Sequence, residues 1–146
     1  MSDIHDAVLA EVEALHRFIS AWFQGTEPNT TEGFDAGFSA RLDPEFVNVQ
    51  PAGRILTRDE LLDPIRSGHG TNSAFEIEIR ELVIHRIFGD GRFVMATYTE
   101  LQHGAKNSHP PINAPLSSVL LQCAEGKDHF VWLHLHETRV PVPGKS

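Results

Sequence analysis

The stretch "HFVWLHLHETRV", residues 129–140, closes the last structured run of this 146-residue chain. As a β-strand it alternates its side chains between two faces. Trp132, His134, His136 and Thr138 then share one face, and Val131, Leu133 and Leu135 share the other. Polar aromatics oppose plain aliphatics. The His pair has three readings: a metal site, an acid–base device, or the lining of a pocket that holds a small molecule.

Three runs upstream carry the same period of two: "FEIEIRELVIHRIF" (75–88), "RFVMATYTELQH" (92–103) and "PLSSVLLQCA" (115–124). Gly89-Asp90-Gly91 and Glu125-Gly126-Lys127-Asp128 supply turns between consecutive pairs. The Pro-bearing segment "GAKNSHPPINA" (104–114) is a longer loop, placed to overhang one end of the sheet. Glu76, Glu78 and Arg80 alternate with Phe75, Ile77 and Ile79, as on a solvated strand face.

The chain before Ala74 is helical in character. Val8, Val12, Leu15, Ile19 and Trp22 recur at spacings of four, three, four and three, which is one helix face. Asp3 and Asp6 suit its positive end and Gly25 its stop. His5 and His16 fall on the polar side of this helix and are expected in solvent. A short second helix is expected near Glu32–Ala40. "EFVNVQPAG" (45–53) reads as a short strand broken at Pro51 and Gly53. Thr57 and Glu60 in "TRDELLDPIRSGHG" form a capping-box pattern, and Pro64 is expected to end or kink the helix they open.

The organisation expected is one α+β domain over 1–146. It divides into a helical part (1–42), a short strand and hairpin (45–56), a helix (57–68), a four-stranded sheet (74–140) and a tail (141–146). The net charge of −8 and the absence of a basic stripe argue against nucleic acid as a partner. Nine histidines make that charge strongly pH-dependent near pH 6. A single cysteine, Cys123, rules out an intrachain disulfide and a cysteine-based zinc cluster. The N-terminus carries acids where a signal peptide carries positive charge, and no apolar run approaches the ~20 residues of a membrane span. A cytoplasmic protein with no membrane association is expected.

This order of elements resembles the nuclear transport factor 2-like superfamily, whose domains are cones in which a curved antiparallel sheet wraps N-terminal helices and leaves a pocket. "PAGRILTRDEL" (51–61) resembles the strand-to-helix step of the SnoaL-like branch. "HLHET" (134–138) is similar to the terminal His-x-His-x-Ser of the calcium/calmodulin-dependent protein kinase II association domain, with Thr138 for Ser. The superfamily includes ketosteroid isomerases, and their catalytic groups are missing here. Gln50 stands where they place a proton-transferring Asp, and Phe18, seven residues before Gly25, where they place a Tyr. Ser117 or Ser118 takes the approximate place of their protonated Asp. An amide cannot take a proton at neutral pH, so isomerisation of that kind is not expected.

By the same resemblance His136 falls at a pocket position, and alternation brings Trp132 and His134 in with it, as well as Met95, Thr97, Thr99 and Leu101 on the neighbouring strand. The expected ligand-binding residues are Phe18, Trp22, Gln50, Met95, Thr97, Thr99, Trp132, His134 and His136, around a small, largely apolar molecule. His134 and His136 are the catalytic candidates if the protein is a cofactor-free isomerase, cyclase, dehydratase or hydrolase. No metal is expected, since Glu100 has the wrong parity to join the pair and His103 lies beyond the strand end. Val94, Ala96, Tyr98, Val131, Leu133 and Leu135 would then form an uncovered face suited to a homodimer. A module used only for oligomerisation is the third class considered.

Overall fold

The structure, a computed structural model, describes residues 3–104, 115–123 and 129–139. Helix α1 (Asp3–Gln24) follows the apolar spacing and stops at Gly25, whose φ of 86° is open to glycine at little cost. The Gly25 N–H bonds back to the Ala21 carbonyl at 3.0 Å. Helix α2 (Thr31–Gly37) is capped by Thr30, which accepts from the Gly33 N–H, and a single 3₁₀ turn (Ser39–Arg41) leads into β1 (Leu42–Val49). Strand β2 (Ile55–Thr57) runs into α3 (Arg58–Ser67), where the Thr57–Glu60 capping box is formed in both directions. Pro64 does not end α3, which continues to Ser67. The bond it forgoes is to the carbonyl of Glu60, an exposed residue that water can reach.

Strands β3 (Glu76–Phe88), β4 (Phe93–His103), β5 (Leu116–Cys123) and β6 (Phe130–Thr138) form an antiparallel meander. The full sheet has the order β2-β1-β6-β5-β4-β3. One pairing departs from the antiparallel expectation: β1 lies parallel to β6. Gly89, Asp90 and Gly91 all take positive φ at the β3–β4 turn. The expected loop at 105–114 and turn at 125–128 lie outside the described residues. The result is an α+β cone with the helices on one face of a curved mixed sheet.

The sheet faces the opposite way from the expected alternation. Val94, Ala96 and Tyr98 are fully buried against the helices, as are Ser117, Val119 and Leu121 beside them. Met95, Thr97 and Thr99 point to the outer face, where Met95 is 37% exposed. The cause of the error is on β6. There Leu120 pairs with His134 but Leu121 pairs with Trp132, so Leu133 is an extra residue in a β-bulge. Trp132 faces inward before the bulge, while Leu135 and Glu137 face inward after it. His134 and His136 are thereby turned outward, so the dimer face expected from Val94, Ala96, Tyr98 and Leu135 is core. Val131 and Leu133 are half-buried.

Candidate functional site

A cavity of about 600 Å³ lies between α1, α3 and the inner face of the sheet. Leu15, Ile19, Phe46, Leu61, Ile65 and Leu135 make much of its apolar wall. The polar side is concentrated: His16 from α1, Asn48 and Gln50 from β1 and the chain just after it, Glu100 and Gln102 from β4, and Glu137 from β6. Each strand contributes through the same alternation that buries its aliphatic neighbours, as Glu100 follows Tyr98 and Glu137 follows Leu135.

His16 is buried and its Nδ1 lies 2.8 Å from the Val12 carbonyl. A carbonyl only accepts, so Nδ1 carries a proton and Nε2 is left for Glu100, whose Oε1 is 3.2 Å away. Burial alone would lower the His16 pKa, but the Glu100 carboxylate raises it above the ordinary value. Burial would likewise raise Glu100, yet the His16 charge and the 2.6 Å bond from Gln102 Nε2 hold it low. Both shifts favour the ion pair of imidazolium and carboxylate, each side chain about 5% exposed or less.

Glu137 differs. Burial, then the charge of Glu100, push its carboxyl up to about 7, with the Asn48 amide and His16 pulling back. Asn48 Nδ2 is 3.4 Å from Glu137 Oε1 and also donates to the Leu135 carbonyl at 3.2 Å. Burial, Glu100 and Glu137 keep the Tyr98 hydroxyl protonated well beyond the usual range. Trp132 is set by a donation from its Nε1 to Glu11 Oε2 at 2.8 Å, and Arg41 neutralises that carboxylate at 2.7 Å. A proton-holding carboxyl beside open space can donate to, or take a proton from, a molecule in the cavity.

Of the residues expected to line a pocket, Gln50 and Trp132 lie on this wall. Phe18 and Trp22 do not. They stack on each other at 5.7 Å and pack against Phe34 of α2, with the Trp22 Nε1 donating to the Ile65 carbonyl. Met95, Thr97, Thr99, His134 and His136 occupy the outer face, where Thr97 Oγ1 meets His85 Nε2 at 2.7 Å. His134 and His136 have ring centroids 6.5 Å apart. Burial, then His136, holds His134 below its ordinary pKa. Among the described residues no three His, Cys, Asp or Glu side chains are grouped to hold a metal.

His16, Asn48, Glu100 and Glu137 were not among the expected site residues, and signals in the sequence pointed to two of them, His16 and Glu100. His16 is four residues after Val12, so it extends the buried stripe rather than the polar face. Glu100 continues the alternation of Val94, Ala96 and Tyr98, the more apolar face of its strand.

No family model matches the sequence, and no curated protein matches it. Solved structures do. An NTF2-like protein of unknown function from Pseudomonas aeruginosa is 27% identical, with 92% of this chain and 99% of that one covered and a TM-score of 0.79. An NTF2-like protein from Cytophaga hutchinsonii is 16% identical, with 95% and 100% covered and a TM-score of 0.71. ActVI-ORFA from Streptomyces coelicolor is 14% identical, with 97% and 100% covered and a TM-score of 0.65.

Proposed function

We propose that this chain, which has the nuclear transport factor 2-like fold, holds a small, largely apolar organic molecule in the cavity beneath its sheet. One observation carries this reading: the cavity of about 600 Å³ is walled by aliphatic and aromatic side chains and has its charged groups gathered at one place. Ligand sites commonly enclose about 300–1,000 Å³ with a few convergent polar groups. A role limited to assembly leaves the buried carboxylates without a use. The test is NMR titration with small neutral aromatics such as 2-phenylethanol. Amide shifts should cluster at Leu61, Gln102 and Leu135 and spare Met95 and Leu120. Shifts confined to the outer face would remove the reading.

A second reading, a cofactor-free acid–base enzyme, is favoured by the Glu137 carboxyl, which exchanges its proton near pH 7. Its working groups are then Glu137, Glu100 and His16, because the His134 and His136 side chains lie on the other face of the sheet. Loss of label from α-deuterated cyclohexanone at pH 7, absent in Glu137→Gln, is the result expected of such an enzyme. No loss of label above the buffer rate would count against it.

The outer face is proposed as the surface of a homodimer. Its residues run across the sheet in rows, Val47, His134, Leu120, Met95 in one and Val49, His136, Ser118, Thr97, Val83 in the next. Among the described residues every helix packs on the other face. No helix among the described residues is long and apolar enough to cross a membrane.

A further inference from the structure

The charges buried at the cavity do not balance. Glu11 has Arg41 to itself, at 2.7 Å. Glu100 and Glu137 share only His16, and among the described residues neither meets a Lys or Arg. Glu100 is 4% exposed, lines the cavity, and its Oε1 receives no well-aligned hydrogen bond even from His16. Among the described residues Glu137 Oε1 has only the long 3.4 Å approach of the Asn48 amide. Arg139 is on the same wall, but it is exposed and its charge is screened by water. Counted over the described residues, with His16 protonated and both carboxylates ionised, the site therefore carries one negative charge in excess, in surroundings where a bare buried charge is costly.

What would complete the site is one cation with an apolar body. Phe38, Phe46, Phe75 and Trp132 on the wall are aromatic, and aromatic rings attract ammonium groups as well as hydrocarbon. We propose that the ligand is a hydrophobic amine, its ammonium seated between Glu137 and Glu100 and its hydrocarbon body against the aromatic and aliphatic wall. This rests on the cavity being the ligand site. An anion would meet two carboxylates of its own sign. A neutral molecule fits only with Glu137 protonated, and that difference gives the two cases opposite proton signatures. An ammonium ion favours the ionised carboxyl, so the amine releases a proton from Glu137 on binding. A neutral ligand, by further desolvating the carboxyl, takes one up.

The test is calorimetry of the full chain at pH 7 with matched pairs, 2-phenylethylamine against 2-phenylethanol and tryptamine against tryptophol, in two buffers of different ionisation enthalpy. Each amine should bind at least tenfold more tightly than its alcohol and release a fraction of a proton, about half for a group that titrates near 7. Glu137→Gln should bring the amine to the level of the alcohol and abolish the release. Retained binding of the alcohol by that variant shows its cavity intact. Alcohols binding as tightly as amines, or proton uptake with the amine, would overturn the amine and leave the cavity reading standing. Failure of every pair to bind would remove both.

Discussion

Burial and the charge of Glu100 raise the Glu137 carboxyl from 4.5 to about 7 in the folded chain. Between those values the folded state keeps a proton that the unfolded chain has released, so stability falls as pH rises through the window and is level above it. The whole effect is about 3 kcal/mol, from 1.36 kcal/mol for each of roughly 2.5 pKa units. Glu137→Gln should therefore be more stable than the wild type by about that amount at pH 8 and nearly equal to it at pH 4.5. Urea unfolding at the two pH values measures this. A variant equally or less stable at pH 8 would mean that the carboxyl is well solvated.

The His16–Glu100 pair works in the other direction. With His16 raised and Glu100 lowered, the pair contributes between the two folded-state values and is lost outside them, as pH falls through that of Glu100 or rises through that of His16. Removing one partner leaves a buried charge, so His16→Leu should cost about 3–5 kcal/mol. His16→Leu with Glu100→Leu should cost much less, and denaturant midpoints of the three chains give the comparison. Equal losses for the single and double variants would mean that the charges do not act on each other. His16 itself was legible only by position. Reading it as polar put it in solvent, whereas the four-residue step from Val12 puts it under the sheet.

At the scale of elements, periodicity was enough to find the helices and strands, because each is an uninterrupted pattern with its own stop signal. The capping box and the Gly-Asp-Gly turn are local chemistry and are legible in a few residues. A bulge is not. Leu133 is an ordinary strand residue, and nothing in "VWLHLH" distinguishes a flat alternation from one that slips between Trp132 and Leu135. One extra residue reverses every side chain beyond it, and carrying the reversed parity across to β4 inverted that strand as well. The apolar content of Val94, Ala96 and Tyr98 was the better guide. Adjacent residues on β5 test the facing. Leu121→Ala removes a fully buried side chain and should cost about 2–5 kcal/mol, while Leu120→Ala on the outer face should cost well under half of that in the monomer. The reverse order would restore the original alternation.

At the scale of the whole molecule, the described residues leave one sheet face without cover. Val83 is 47% exposed, Leu116 41% and Met95 37%, and Val47, Leu120 and the two histidines lie among them. Apolar surface gathered in this way favours association, and a two-fold dimer is its commonest closed form. Leu120 is central in its row, so Leu120→Asp should weaken the dimer by a few kcal/mol through burial of an unpaired charge. It should leave the monomer folded. His134 adds a pH dependence with a definite sign. Burial already holds His134 below its ordinary pKa of 6.5, with His136 acting in the same direction. A partner sheet would bury the ring further, so the dimer binds fewer protons than two monomers and loses affinity as pH falls through the monomer's His134 value, which already lies below 6.5. Light scattering at tens of micromolar should give a dimer at pH 8 and a shift toward monomer at pH 5.5. His134→Gln keeps hydrogen-bonding capacity and removes that titrating ring, so its dimer should lose less affinity between pH 8 and pH 5.5 than the wild type. A wild-type chain that is monomeric at pH 8, or a dimer that ignores pH while Leu120→Asp leaves it intact, would place the association surface elsewhere.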